Sequence, residues 1–142
     1  METTCPAPPT LPWTSRPAVR PYGPERTACW TLAARPTAAL TAARLTEARL
    51  RAWRLRTPDT GTTPASPAPA SAARLLAAQL VAAALATGAG AVRLTVTEED
   101  GLLRLEAEHD GPRPATPDAP LLDRLACCWG ATGPATWCEL PA

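Results

Sequence analysis

Residues 71–109, SAARLLAAQLVAAALATGAGAVRLTVTEEDGLLRLEAEH, carry the pattern that decides the fold. The first seventeen, Ser71 to Thr87, read as one long helix. After the first turn its only notable polar side chains are Arg74, Gln79 and Thr87. Ser71 is the expected N-cap, and Gly88-Ala89-Gly90 is the expected stop, because glycine takes the left-handed backbone that follows a helix end without steric cost. Ala91–Thr97 and Leu102–Glu108 then alternate apolar and polar residues around Glu99-Asp100-Gly101. That is the period of two of half-buried strands joined by a tight turn, so a β-hairpin follows the helix.

Upstream, Ala28–Ala33 (ACWTLA) predicts a first strand. Pro36 and Thr37 open a helix to about Leu55, since proline suits a first turn and threonine can cap it. Ala39, Ala43, Leu50 and Trp53 give this helix an apolar stripe. Glu47 and Arg51, four residues apart, form an expected surface pair. Arg49, Arg51, Arg54 and Arg56 read as a solvated helix face. Downstream, Gly111–Pro120 reads as a rigid loop and Leu121–Cys128 as a short helix ended at Trp129-Gly130. Ala135–Leu140 reads as a closing strand. The order predicts an α+β fold, a two-layer α/β sandwich with helices on one face of a mixed, largely antiparallel sheet.

Residues 1–26 contain seven prolines and little periodicity, and are expected to form a flexible tail. Residues 57–70, TPDTGTTPASPAPA, read as a Pro/Ala/Thr linker. The folded domain is therefore placed at 27–142.

The chain has 142 residues, 46% of them apolar and mostly Ala and Leu, which allows one domain with its own core. It contains no Phe, Ile, Asn or Lys, and all fourteen basic residues are Arg. The net charge of +1 argues against a nucleic-acid binder. No charged start followed by an apolar run marks a signal peptide, and no stretch reaches the roughly 20 apolar residues of a membrane span, so a cytoplasmic protein that contacts no membrane is expected.

The five cysteines, Cys5, Cys29, Cys127, Cys128 and Cys138, make no C-x-x-C pair. A zinc set of Cys127, Cys128, Cys138 and His109 suffers from the adjacency of two ligands, which resists tetrahedral geometry. A thiol enzyme would have to use His109, the only histidine. Buried small hydrophobes are the expected role of the cysteines. A solvent-exposed hairpin-end histidine is expected at His109, and core aromatics at Trp129 and Trp137.

The string Leu32–Leu55, the helix and hairpin of 71–109, and Leu121–Leu140 (LLDRLACCWGATGPATWCEL) together resemble the GHKL ATPase superfamily. The likeness is in particular to the actinomycete anti-sigma-factor serine kinases, and it covers about Thr27–Leu140. It implies a Bergerat-type sandwich. In that family the second helix supplies a Glu that acts as base and an Asn that holds Mg²⁺. Gln79 and Ala83 stand at those places here. Gln79 is no base near neutral pH, and Ala83 offers no ligand atom. The family's next motif, Asp-x-Gly-x-Gly, binds adenine through its Asp. Here the region reads Glu108-His109-Asp110-Gly111. Either His109 replaces the Asp, or Asp110 retains it with Gly111 one place early. The Gly-rich phosphate loop is replaced by Thr116–Leu121, which has no Gly, two prolines and Asp118.

The resemblance therefore implies a catalytically inactive domain that acts as a protein-interaction regulator of the anti-sigma kind. Its partner would be a protein, a sigma factor or an anti-sigma antagonist, with no cofactor, no catalytic residue and no metal ligand. If nucleotide binding were retained, it would rest on His109, Asp110 and Gly111. Two alternatives stay open: a serine/threonine kinase using ATP and Mg²⁺ through atypical motifs, and a diverged protein without selected activity.

Overall fold

A computed structural model describes residues 26–56 and 68–142. Its elements run β1 (Arg26–Ala33), α1 (Ala38–Arg56), α2 (Ala68–Leu85), β2 (Ala91–Glu99), β3 (Leu102–His109), α3 (Ala119–Leu125), β4 (Cys128–Thr132) and β5 (Ala135–Pro141). The strands form one sheet in the order β1-β2-β3-β5-β4. Every neighbouring pair is antiparallel, so the sheet is not mixed. The α+β class and the two-layer arrangement are as the sequence predicts.

Alternation on the strands decides which sheet face is covered. Val92, Leu94 and Val96 on β2, Leu103, Leu105 and Ala107 on β3, and Cys138 and Leu140 on β5 all point to one side and are buried. Trp30 and Leu32 extend this floor on β1. The helices lie on that floor, with Ala42, Leu50 and Trp53 from α1, Leu76, Leu80 and Val81 from α2, and Leu122 from α3 in the same apolar cluster. The other face has no helix among the described residues.

Helix α2 sits against the sheet and against α1 at once. Ala73, Leu76, Ala77, Leu80, Val81 and Ala84, at helical spacing, form one broad buried stripe, while Ser71, Arg74, Leu75 and Ala82 are exposed. Packing accounts for the apolar residues of that stripe and not for those of the exposed face. Small residues on both partners, Ala42 and Ala43 on α1 and Ala73 and Ala77 on α2, allow the two helices close approach.

The hairpin turn is Asp100-Gly101, both with positive φ (52° and 76°), the geometry that matches strand twist in a two-residue connection. Glu47 and Arg51 pair at 3.3 Å as expected. The apolar face of α1 is built from Ala38, Ala42, Ala43, Leu50 and Trp53, with Ala39 only half-buried.

Four boundaries depart from the sequence reading. Arg26, assigned to the tail, pairs with Glu98 and opens β1. Helix α2 begins at Ala68, so Ser71 lies within it and is not its cap; Pro69 fits a first turn, where its missing N–H costs nothing. Residues 1–25 of the proposed tail and 57–67 of the proposed linker lie outside the described residues. The third correction is α3, which stops at Leu125. The fourth is a strand not foreseen, since Cys128-Trp129-Gly130 pair with β5 as β4.

Thr46 on α1 is fully buried, and its Oγ1 has no hydrogen-bond partner among the described residues. An unsatisfied buried hydroxyl costs about 1–3 kcal/mol. Thr46→Val keeps the shape and removes the hydroxyl, and is expected to raise the stability by about 1 kcal/mol, read as a higher urea midpoint at unchanged slope.

Candidate functional site

The residues singled out near the end of the hairpin meet where α2 and β3 end and β2 begins. Strand alternation puts His109 on the helix-covered face, in line with Leu103, Leu105 and Ala107. It is 7% exposed, not a solvent-facing hairpin histidine. The chain leaves β3 beside the last turn of α2, and this burial follows from that placement.

Its ring is held by the chain itself. The Gly111 N–H donates to His109 Nδ1 at 3.0 Å. Thr87 Oγ1 lies 3.1 Å from the same nitrogen and donates to the Ala84 carbonyl at 2.5 Å. Because a backbone N–H can only donate, Nδ1 keeps its lone pair and the ring proton sits on Nε2. Nε2 is buried and has no partner among the described residues. The His109 N–H donates to the Pro134 carbonyl at 3.0 Å, which ties the end of β3 to the β4–β5 turn.

Asp110 is exposed and also occupied. Its Oδ1 accepts from the Gly90 N–H at 3.0 Å and sits 3.5 Å from the Ala91 N, binding the end of β3 to the start of β2. Gly111 is where the loop crosses Thr87. A β-carbon there would fall 2.0 Å from Thr87 Oγ1 and 2.9 Å from the Thr87 carbonyl oxygen, so only glycine fits. Pro112 then rests on Gly88 at 3.5 Å from the position of an added β-carbon. His109, Asp110 and Gly111 are thus brought together, but as a clasp of the fold.

Gln79 and Ala83 share a face of α2, four residues apart. Gln79 is half-buried and Ala83 is buried. At 1.5 Å of rise per residue, Gln79 lies about 9 Å along the axis from Leu85, where α2 ends, and Ala83 about 3 Å. Asp118, in the segment compared with a phosphate loop, caps α3 by accepting from the Leu121 N–H at 3.1 Å. The sequence reading missed this role, although Asp followed two residues on by Pro at a helix start is a legible signal.

Two grooves among the described residues lie elsewhere. One, ≈ 650 Å³ in volume, runs between α1 and α2. The other, ≈ 330 Å³, lies on the helix-free face of the sheet among Thr97, Leu102, Arg104 and Glu139. Neither is lined by Gln79, Ala83, His109 or Asp110.

The helix-free face is a polar lattice. Arg93 pairs with Glu108 at 2.8 Å, and Arg104 with Glu139 at 2.8 Å and Glu106 at 3.5 Å. The Arg104 guanidinium also stacks 4.4 Å over Trp137, a cation–π contact. Trp137 therefore faces outward and is no core aromatic. Gly130 lies beside it, where a β-carbon would come within 2.9 Å of the ring. Trp129 is half-buried against the core, and its Nε1 donates to Asp123 at 2.8 Å.

The cysteines also depart from expectation, since Cys127 and Cys128 are exposed and only Cys138 among the free thiols is buried. Both exposed thiols bond to Glu139. Cys127 donates to its carbonyl at 3.2 Å and Cys128 to its carboxylate at 3.5 Å. Cys138 pairs with Leu105, one full helix-facing step beyond Ala107 from His109, so the thiols and the imidazole form no common site. No group of three potential ligands that could hold a metal occurs among the described residues.

The Cys128 thiol is pushed up to about 11, first by shelter against the sheet and then by the hydrogen bond and negative charge of Glu139. Cys138 is pushed up to about 12 by burial. Protonated thiols are poor nucleophiles, so these shifts give Cys128 and Cys138 no activation.

No family model matches the chain, and no curated protein matches it significantly.

Two measurements check these contacts. Gly111→Ala is expected to lose about 1–3 kcal/mol in urea unfolding, and adding Thr87→Ala to recover only part, because the Thr87 carbonyl remains in the way. Glu139→Gln removes a negative charge beside Cys128 and lowers its pKa. Iodoacetamide labelling of Cys128 at pH 8, followed by mass spectrometry, is expected to speed up several-fold. In the unsubstituted protein the same rate is reached only at higher pH, as the thiol ionises towards pH 11.

Proposed function

We propose that this chain is a Bergerat-type domain of GHKL-like descent that neither transfers nor hydrolyses phosphate and works by binding another protein. The observation that carries this reading is the clasp at the end of β3. The His109 Nδ1 and the Asp110 carboxylate are the two groups that could take the place of an adenine-binding Asp, and both already accept backbone N–H groups of the chain. A ligand would have to break those bonds to use either one. Around them, Ala83 supplies no metal ligand, Gln79 supplies no base, and Asp118 is spent on the α3 cap.

The regulatory half of the reading rests on the scaffold resemblance alone. On this reading the protein is an anti-sigma-like regulator in the cytoplasm with a protein partner, a sigma factor or an antagonist of one. No helix among the described residues is long and apolar enough to cross a membrane.

Isothermal titration with Mg-ATP is expected to give no saturable heat at up to about millimolar ligand. A dissociation constant near one micromolar would overturn the no-nucleotide reading. Transfer of radiolabelled phosphate to a co-purified protein, lost on changing Asp110 or Gln79, would establish the kinase alternative instead.

A further inference from the structure

The helical layer leaves an apolar groove open to solvent. Leu40 on α1 is 44% exposed and Leu75 on α2 is 54% exposed, the two most exposed large apolar side chains among the described residues. Both line the groove between α1 and α2, with Ala43 and Ala78 beside them. Glu47, Arg51 and Arg74 are its charged lining. Glu47 is shared by the two guanidinium groups, at 3.3 Å from Arg51 and 3.8 Å from Arg74, so one positive charge is left over.

That local excess belongs to a wider division of charge. Residues 38–85 contain six Arg against Glu47 and Asp59, a net of +4. Residues 86–142 contain four Arg against nine acidic residues, a net of −5. The near-zero total hides a basic stretch of sequence that contains α1 and α2 and an acidic stretch that contains β2 to β5.

We propose that the α1–α2 groove docks an acidic amphipathic helix of a partner protein. Its apolar residues, at helical spacing, seat between Leu40 and Leu75, and its carboxylates meet Arg51 and Arg74. A helix suits a furrow between two helices by ridge-into-groove packing, whereas an extended strand laid there leaves its backbone donors unpaired. The described part of a second copy offers no such helix. Its α1 and α2 form the groove itself, and α3 has only seven residues, with Leu122 buried in the core. The proposal rests on the reading that this protein acts by contact, and names the surface and the chemistry of what it contacts.

The test uses the full chain and fluorescein-labelled designed helices of about 18 residues, read by fluorescence anisotropy. One peptide carries Leu at helical spacing with Glu flanks, a second has Lys for Glu, and a third has Ser for Leu. The Glu/Leu peptide is expected to bind in the micromolar range and to weaken as salt is raised. The other two are expected to bind at least about tenfold more weakly. Leu75→Ser and Arg74→Glu, both at exposed positions, are each expected to weaken the first peptide at least about fivefold while leaving the circular dichroism and the urea midpoint unchanged.

Equal binding by the Lys peptide, or undiminished binding by Leu75→Ser, overturns the proposal. So does a wild-type dimer in sedimentation that Leu75→Ser disperses, which would make the groove an interface between copies. Mg-ATP binding would sink the preceding reading without touching peptide binding. Peptide failure with no ATP binding would remove the groove and leave the inactive domain standing.

Discussion

The packing of α2 against both the sheet and α1 is the constraint from which most of this structure follows. The buried stripe of this helix has little room for polar side chains, because each buried polar group must find a partner or cost stability. Leu76, Leu80 and Val81 are completely buried, and small residues fill the places where helices approach. The same placement brings Thr87, at the end of this helix, onto His109 at the end of β3. The crossing at Gly111 is then forced by space, and the loop to α3 begins from that fixed point.

What the sequence made legible was whatever one local rule governs. Strict alternation marked β2 and β3, and Asp100-Gly101 marked their turn. The Glu47–Arg51 spacing marked a pair on α1 that the structure keeps. Strand β4 escaped because Cys128-Trp129-Gly130 has neither β-branched residues nor a clean two-residue period. Its five residues form an edge strand whose pairing with β5 depends on tertiary contact. The burial of His109 was hidden for a related reason. A polar residue at the end of a strand reads as exposed unless the neighbouring helix end is known to cover it. Trp137 erred in the opposite direction, since its apolar bulk suggested core, while strand parity put it on the polar face under Arg104.

The candidate site was partly legible. The composition alone shows that no Asn is present to hold a metal, and the helix pattern places Gln79 and Ala83 on one face. What could not be read was how the chain uses His109 and Asp110. Both roles are long-range, with Gly90 and Thr87 about twenty residues away in sequence. Strand parity does order the two residues, since His109 faces the helices and Asp110 faces solvent.

On the proposed reading, the emptied helix and the closed clasp have one physical origin. A buried metal ligand without its metal is an unsatisfied polar group, with a cost of about 1–3 kcal/mol in a fold whose whole stability is of order 10 kcal/mol. Once no nucleotide repays that cost, a methyl group such as that of Ala83 is the more stable occupant. A segment that no longer meets adenine can turn its polar groups on itself, and the Gly111 N–H donates to His109 Nδ1. Asp118 likewise satisfies the start of α3 instead of repelling an anion. Each replacement makes the chain more self-sufficient, and the remaining unsatisfied apolar surface of the helical layer shifts to Leu40 and Leu75 on its outer side. Leucines exposed there add little to this core, and burial of their apolar surface would lower the free energy, which is the gain the proposed docking supplies.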